Sequence, residues 1–301
     1  MPPTDPVVPP NPPLISTHWQ LAHDAAVRYQ DVVVPWILGP FAEALVEVLG
    51  PQPGESILDV GCGSGAATRA VALAVGHTGR VVGLDLNAGM LDVALGVDQD
   101  LARGVDQEQA GGQDAPARAP IAWLEASAMD MPLADRSFDA VVSGQVLQFV
   151  PDIGAAAREI RRVLKPRGRV ALSVWRGTAH NPYFAAQMDA VTARLGTEAA
   201  GALVAGFRMA DPQPLVDALT DAGFEAVAVR ELDLPLDLPP LADWALRHLA
   251  ATPVASALAG AAPGIGQELG ADVARALRDY VTPDGVRVLF STWVIEGRVG
   301  G

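Results

Sequence analysis

The sequence predicts an α/β protein built on a doubly wound, mostly parallel seven-stranded sheet with helical cap insertions. Three observations carry that reading. From Ser56 onward, short apolar runs alternate with helical segments, as strands buried on both faces do. The first run, Ser56 to Val60, enters the glycine turn Gly61-Cys62-Gly63-Ser64-Gly65 and then a helix with Ala67, Val71, Ala74 and Val75 on one face. The second run, Arg80 to Leu84, ends at Asp85, 20 residues beyond Gly65.

The remaining elements follow in order. Residues 1–13, MPPTDPVVPPNPP, are expected to be a disordered proline-rich tail, with neither the basic start nor the apolar run of a secretory signal. Residues 14–55 read as an N-terminal helical cap, in which Phe41, Leu45, Val48 and Leu49 recur at helical spacing, Pro40 suits the first turn and Gly50 the stop. Pro35, Pro40, Glu43 and Glu47 interrupt its apolar stretch, short of the ~20 apolar residues of a membrane span. Residues 56–234 form the ligand-binding core. Its further strands are expected at Ile121 to Leu124, Phe138 to Ser143, Gly168 to Trp175 and Phe224 to Leu234. Asp152 can cap the helix before the fifth strand, whose apolar face is Ala156, Ile160, Val163 and Leu164. Within the core, 96–120 repeats GVDQ and offers little to bury, so it reads as a mobile loop. Residues 235–283 read as a helical lid insertion, and 284–301 as the last core strand, which includes Val286 to Ile295.

Composition narrows the partners. A net charge of −14 argues against nucleic acid, because phosphate backbones are gripped by Lys and Arg. The basic run Arg158, Arg161, Arg162, Lys165, Arg167 and Arg169 reads as a solvated helix face, and Asp130, Asp135 and Asp139 as solvated turn residues. Cys62 is the only cysteine, which excludes an intrachain disulfide and a cysteine-built zinc site and suits a reducing, cytoplasmic setting. The five histidines are scattered, so no metal is expected, and no membrane partner either. Monomer and homodimer stay open.

The glycine turn points to chemistry. Gly61 and Gly63 allow a tight bend and close approach of a ligand to the main chain, and the following helix start offers free N–H groups. Asp85 can accept both hydroxyls of a ribose. Together they imply an adenosine-containing ligand. They do not choose between S-adenosylmethionine and a dinucleotide, because Gly61, Gly63 and Ala66 also satisfy the dinucleotide fingerprint.

The runs ILDVGCGSG, VVGLDLNAGML, SAMDMPLADRSFDAVVSGQVLQFVPD and LKPRGRVALSVW, in this order, resemble the class I methyltransferases of the type 11 group, which includes enzymes of quinone biosynthesis and natural-product tailoring. The resemblance covers Ser56 to Trp175. It implies S-adenosyl-L-methionine as cofactor, with Gly61, Cys62 and Gly63 along the methionine portion, Asp59 orienting the ammonium through water, Asp85 on the ribose, and Leu86 and Met90 on the adenine face. Family members often carry an aspartate where this chain has Ser127, so adenine contacts are expected from the Ser127 hydroxyl and the backbone of Ala128 and Met129. Ser143, at a strand's carboxyl end, joins this set.

The acceptor is expected to be a small organic molecule contacting residues drawn from Tyr29, Gln145, Gln148, Trp175, Tyr183, Trp244 and His248. His180, in the loop after the fifth strand, is the candidate general base. Two other readings compete: an NAD(P)-dependent oxidoreductase using the same glycine turn, and a catalytically silent binding module.

Overall fold

The structure, a computed structural model, describes residues 23–109 and 118–301. The expected tail at 1–13 lies outside the described residues, as do residues 14–22 of the cap.

The chain opens with α1 (His23–Val32), a π-helical turn (Val34–Leu38) and α2 (Gly39–Leu49). Pro35 does not break this run: it falls in the first turn of the π segment, where its missing N–H costs little, and the Gly39 N–H closes the wide turn on the Val34 carbonyl. Asp24–Leu49 is therefore one helical stretch of 26 residues, long and apolar enough to cross a membrane by length and composition alone, which corrects the expectation of an interrupted segment. Here its buried face packs into the fold: Ala26 meets Met90 and Val93, and Leu45 and Leu49 lie against the sheet.

The core follows as β1 (Ser56–Val60), α3 (Ala66–Val75), β2 (Arg80–Asp85), α4 (Ala88–Gln109), β3 (Ile121–Glu125), β4 (Phe138–Gly144), α5 (Ile153–Val163) and β5 (Leu164–Trp175). After it come α6 (Pro182–Leu195), α7 (Thr197–Val204), α8 (Gln213–Asp221), β6 (Phe224–Leu238), α9 (Leu241–Leu249), α10 (Ala255–Ala259), α11 (Ile265–Ala276), β7 (Val281–Thr282) and β8 (Gly285–Val299). The strand order is β3-β2-β1-β4-β5-β8-β6, with the two-residue β7 pairing β8. Strands β3 to β5 along this path run parallel, while β8 is antiparallel to both its neighbours. The sheet is thus mixed and mostly parallel, with eight strands where seven were expected. Strand order reverses between β1 and β4, and such a switch point opens a crevice at the carboxyl ends of the strands.

Local chemistry explains several boundaries. Asp152 caps α5, its carboxylate accepting the Ala155 N–H at 2.8 Å. Leu164 already belongs to β5, pairing with Phe138 ahead of an irregularity in register, so the helix stops one residue earlier than its apolar pattern suggests. Strands β6 and β8 pair from Phe224↔Val299 to Leu238↔Val286, which carries β6 four residues past the expected Leu234, and Leu236, Leu238, Val286 and Val288 at that end are buried with residues of α6, α9 and α11.

Three expectations need correction. The part of 96–120 through Gln109 is helix, not loop: Met90, Val93, Ala94 and Val97 recur at helical spacing on the face of α4 nearest α1, and polar residues carry the helix onward. The basic run is not merely solvated. Arg162 binds Glu159, Asp135 and the carbonyls of Met131 and Leu133, and Arg169 binds Glu55 and the carbonyls of Leu49 and Gly50 at the end of α2. Asp139 likewise joins Lys165 to the Ser56 N–H, fixing the start of β1.

Candidate active site

The glycine turn is shaped by close packing. Gly61 has φ +70° and a Cβ there would sit 2.3 Å from the Val146 side chain. Gly63 also has a positive φ (+52°), yet nothing lies within 4 Å of where its Cβ would be. One glycine is required by a neighbour, and the other leaves space.

That space belongs to a cavity of about 250 Å³ at the carboxyl ends of β1, β2 and β4. Asp85 anchors it: one carboxylate oxygen accepts the Gly63 N–H and the other the Asn87 N–H, each at 2.8 Å. Asn87 in turn caps α4, accepting the Met90 N–H. On the opposite side, Asp59 is 1% exposed and accepts the Thr68 hydroxyl at 2.6 Å. Burial pushes the Asp59 carboxyl up to about 7, only partly offset by Thr68, and the nearby charge of Asp85 adds to the rise. Burial also raises Asp85, against the backbone N–H groups that favour its charged form. The buried Cys62 thiol is pushed up and stays protonated.

Of the residues expected around a cofactor, Asp59, Gly61, Cys62, Gly63, Asp85, Leu86, Met90, Ser127, Ala128 and Met129 line this cavity together. Ser143 does not. Its hydroxyl donates to the Val60 carbonyl at 2.7 Å, so it ties β4 to β1 beneath the floor. The Ser127 hydroxyl accepts the Met129 N–H and shapes the turn that forms the far wall.

A second cavity of about 90 Å³ adjoins the first, and Tyr29, Leu38, Gln145 and Phe149 line both. Gln148 and Trp175 face it, as expected, with His248. Trp175 sits edge-on to Phe41 and Phe184, centroids 5.1 and 5.0 Å away, and Phe184 continues to Phe207. Tyr183 and Trp244 are buried in the layer behind and line neither cavity. His180 is a correction: it is exposed on a short turn beside Arg176 and reaches neither cavity, so the structure gives it no role as a base.

Sequence reasoning missed Asn87, Val146, Phe149, Phe184, Phe207 and Gln187. Asn87 carried a signal, an Asn directly before a helical pattern. The aromatic residues carried none, because they meet only through tertiary packing. Among the described residues, no group of three or more His, Cys, Asp or Glu could hold a metal.

The strand order, the switch-point crevice and the acidic residue ending β2 define a class I methyltransferase fold. Residues 58–172 match the family model described as a methyltransferase domain, that of the type 11 group. Among curated proteins, the chain is 36% identical over 133 residues to a 2-phytyl-1,4-naphtoquinone methyltransferase of Trichormus variabilis, covering 43% of this chain and 51% of that protein. It is also 36% identical over 119 residues to a demethylmenaquinone methyltransferase of Oceanobacillus iheyensis, covering 40% and 44% respectively. The matched region thus spans about half the length of these relatives. Among solved structures, phosphoethanolamine N-methyltransferase 2 of Haemonchus contortus, in complex with S-adenosyl-L-methionine, superposes with a TM-score of 0.54 at 19% identity, covering 94% of this chain and 58% of that one. The YcgJ protein of Bacillus subtilis gives a TM-score of 0.50 at 16% identity, covering 87% and 99%. These two likenesses speak for the fold.

Proposed function

We propose that this chain transfers a methyl group from S-adenosyl-L-methionine to a small, uncharged organic acceptor. One observation carries the reading: a carboxylate-lined cavity on the glycine turn shares a wall with a second, aromatic cavity that has no charged lining among the described residues.

The first cavity suits the cofactor. Among the described residues its lining holds Asp59 and Asp85 but no Lys or Arg, which favours a cationic amino-acid nucleoside over the pyrophosphate of a dinucleotide. Asp85 would meet ribose hydroxyls and Asp59 the ammonium group, and Leu86, Met90, Met129 and Val146, which line the same cavity, would meet the flat faces of a purine. The open space at Gly63 lets a ligand lie against the main chain.

When bound, the cofactor supplies a methyl on a cationic sulfur, so transfer is an in-line displacement. The chain's task is then alignment and exclusion of water. Tyr29, Leu38, Gln145 and Phe149 stand between the two chambers and would set the approach of acceptor to methyl. Such alignment can supply roughly 7–11 kcal/mol of the barrier reduction. Burial holds the Tyr29 phenol well above its ordinary value, with the charge of Asp85 adding to it, so Tyr29 stays protonated and serves as wall and donor.

The names of the relatives include quinone methyltransferases and a phosphoethanolamine methyltransferase. An uncharged second cavity favours an acceptor of the quinone kind over a phosphorylated amine. A single buried thiol suits work in the cytoplasm. Calorimetry with S-adenosylhomocysteine and with NADH tests the reading. Binding of the first and not the second is expected, and the reverse would replace methyl transfer with hydride transfer.

A further inference from the structure

Two polar groups in the second cavity are left unused by the cofactor reading. Gln148, 1% exposed, donates its Nε2 to Gln145 Oε1 at 3.4 Å, while its own Oε1 is buried without a partner. A buried acceptor left without a donor is costly, so it marks a place where a donor from outside is wanted.

His248 supplies the complement. Gln187 donates its Nε2 to the Tyr183 hydroxyl oxygen at 2.9 Å. Tyr183 is fully buried, and the other neighbour of its hydroxyl is His248 Nδ1 at 2.8 Å. The tyrosine proton therefore points at Nδ1, since any other placement strands it. Burial pushes the His248 imidazole down to about 3, so the ring is neutral at working pH. A neutral ring that accepts at Nδ1 carries its proton on Nε2. His248 lines the cavity and Nε2–H is its remaining polar group.

Of the other polar side chains here, that of Tyr29 stands on the wall shared with the first cavity, and Gln187 is turned to Tyr183. Gln145 donates to Ser173 and accepts from Gln148, and the Thr252 hydroxyl donates to the Leu249 carbonyl. Around them stand Trp175, Phe184, Phe207 and Phe149.

We infer that this cavity is an acceptor subsite for an uncharged aromatic carbonyl compound that also bears a hydroxyl. The hydroxyl donates to Gln148 Oε1, and the carbonyl oxygen accepts from His248 Nε2–H. His248 is thus a positioning donor rather than a base. The inference rests on the reading of the second cavity as the acceptor chamber and names what that chamber selects.

Nitrogen-15 spectra of histidine-labelled free protein test the first half, with no cofactor needed. His248 should show a protonated Nε2 and an unprotonated Nδ1, and the opposite tautomer overturns the assignment. The second half uses protein with and without S-adenosylhomocysteine, titrated with 3-hydroxyacetophenone, 3-methoxyacetophenone and 3-ethylphenol. The hydroxy ketone should bind about tenfold more tightly than either probe lacking one group. Gln148→Leu should erase its advantage over the methoxy ketone, and His248→Phe its advantage over ethylphenol. Equal binding of all three probes to the unaltered protein, or preferences that survive both substitutions, overturns the proposal. Failure of S-adenosylhomocysteine alone to bind sinks the cofactor reading and leaves the tautomer and probe results standing.

Discussion

The two cavities share a wall but are built by different means. The first is made of backbone: the turns after β1, β2 and β4, held by Asp85 bridging two N–H groups and by glycines whose φ values are positive. The second is made of side chains from β5, α6, the turn after α7, and α9, brought together by packing of an aromatic cluster. Backbone-built sites tolerate few residue types at each position, because conformation and close approach dictate them. Packed sites tolerate many, because volume and shape can be met in several ways. On the proposed reading, the chamber offered to the cofactor admits few substitutions, while the one offered to the acceptor can be relined.

The sharpest way to break this comparison is at Gly61. An alanine there would meet Val146 and adopt a left-handed φ, so Gly61→Ala should weaken S-adenosylhomocysteine binding by more than about 100-fold, a loss of roughly 3 kcal/mol. Pairing it with Val146→Gly should recover part of the affinity, since the collision goes and only the φ strain stays. No recovery would show that the two residues do not collide, and calorimetry on the single and double variants decides it.

Next in size is Asp85→Ala, which removes the proposed ribose hydrogen bonds and frees the Gly63 and Asn87 N–H groups. Affinity should fall by on the order of 1.5–3 kcal/mol. Binding of the aromatic probes in the second cavity should not change. A parallel loss in both would mean that the chambers are one energetic unit.

Asp59 gives a pH signature. Its folded value near 7 lies above the ordinary 3.8, so the folded state holds a proton that the unfolded state has lost across that interval. Stability from this group is therefore fully present below about pH 4 and is lost as pH rises toward 7. Cofactor binding runs the other way: an ammonium wants the ionised carboxylate, so affinity should climb through pH 7 and level off above it. Asp59→Asn should flatten both trends, raising the melting temperature by a few degrees at pH 8, roughly 1–2 kcal/mol, while weakening the cofactor. A variant that binds as well as the parent at every pH would show that Asp59 faces no cation.

The same contrast governs what could be read in the sequence. Strand β1 and the start of β2 fell where their apolar runs placed them, and ten of the expected cofactor residues, from Asp59 to Met129, converge on one cavity. Local rules fix the strand starts, Gly61, Gly63 and Asp85, while the other seven positions come from the resemblance carried by the ordered motifs. Tyr183, Trp244 and His180 were misplaced because nothing local says which side of an aromatic layer faces the hollow, or whether a loop folds over the site. Gly96 to Gln109 failed for another reason: two glycines and many polar residues hid a helical stripe that is apolar only through Val97.

The smallest expected effect lies on the shared wall. Gln145 has φ +59°, a left-handed conformation that costs a non-glycine residue about 1 kcal/mol, while its amide bridges Ser173 and Gln148. Gln145→Ala loses the bridge and keeps the strain, whereas Gln145→Gly loses the bridge and the strain together. Glycine should therefore be the more stable of the two by about 1 kcal/mol in thermal unfolding, the reverse of their order in an ordinary helix or strand. If alanine proves the more stable, the wall between the chambers holds no backbone strain, and its place at the junction owes everything to the side chain.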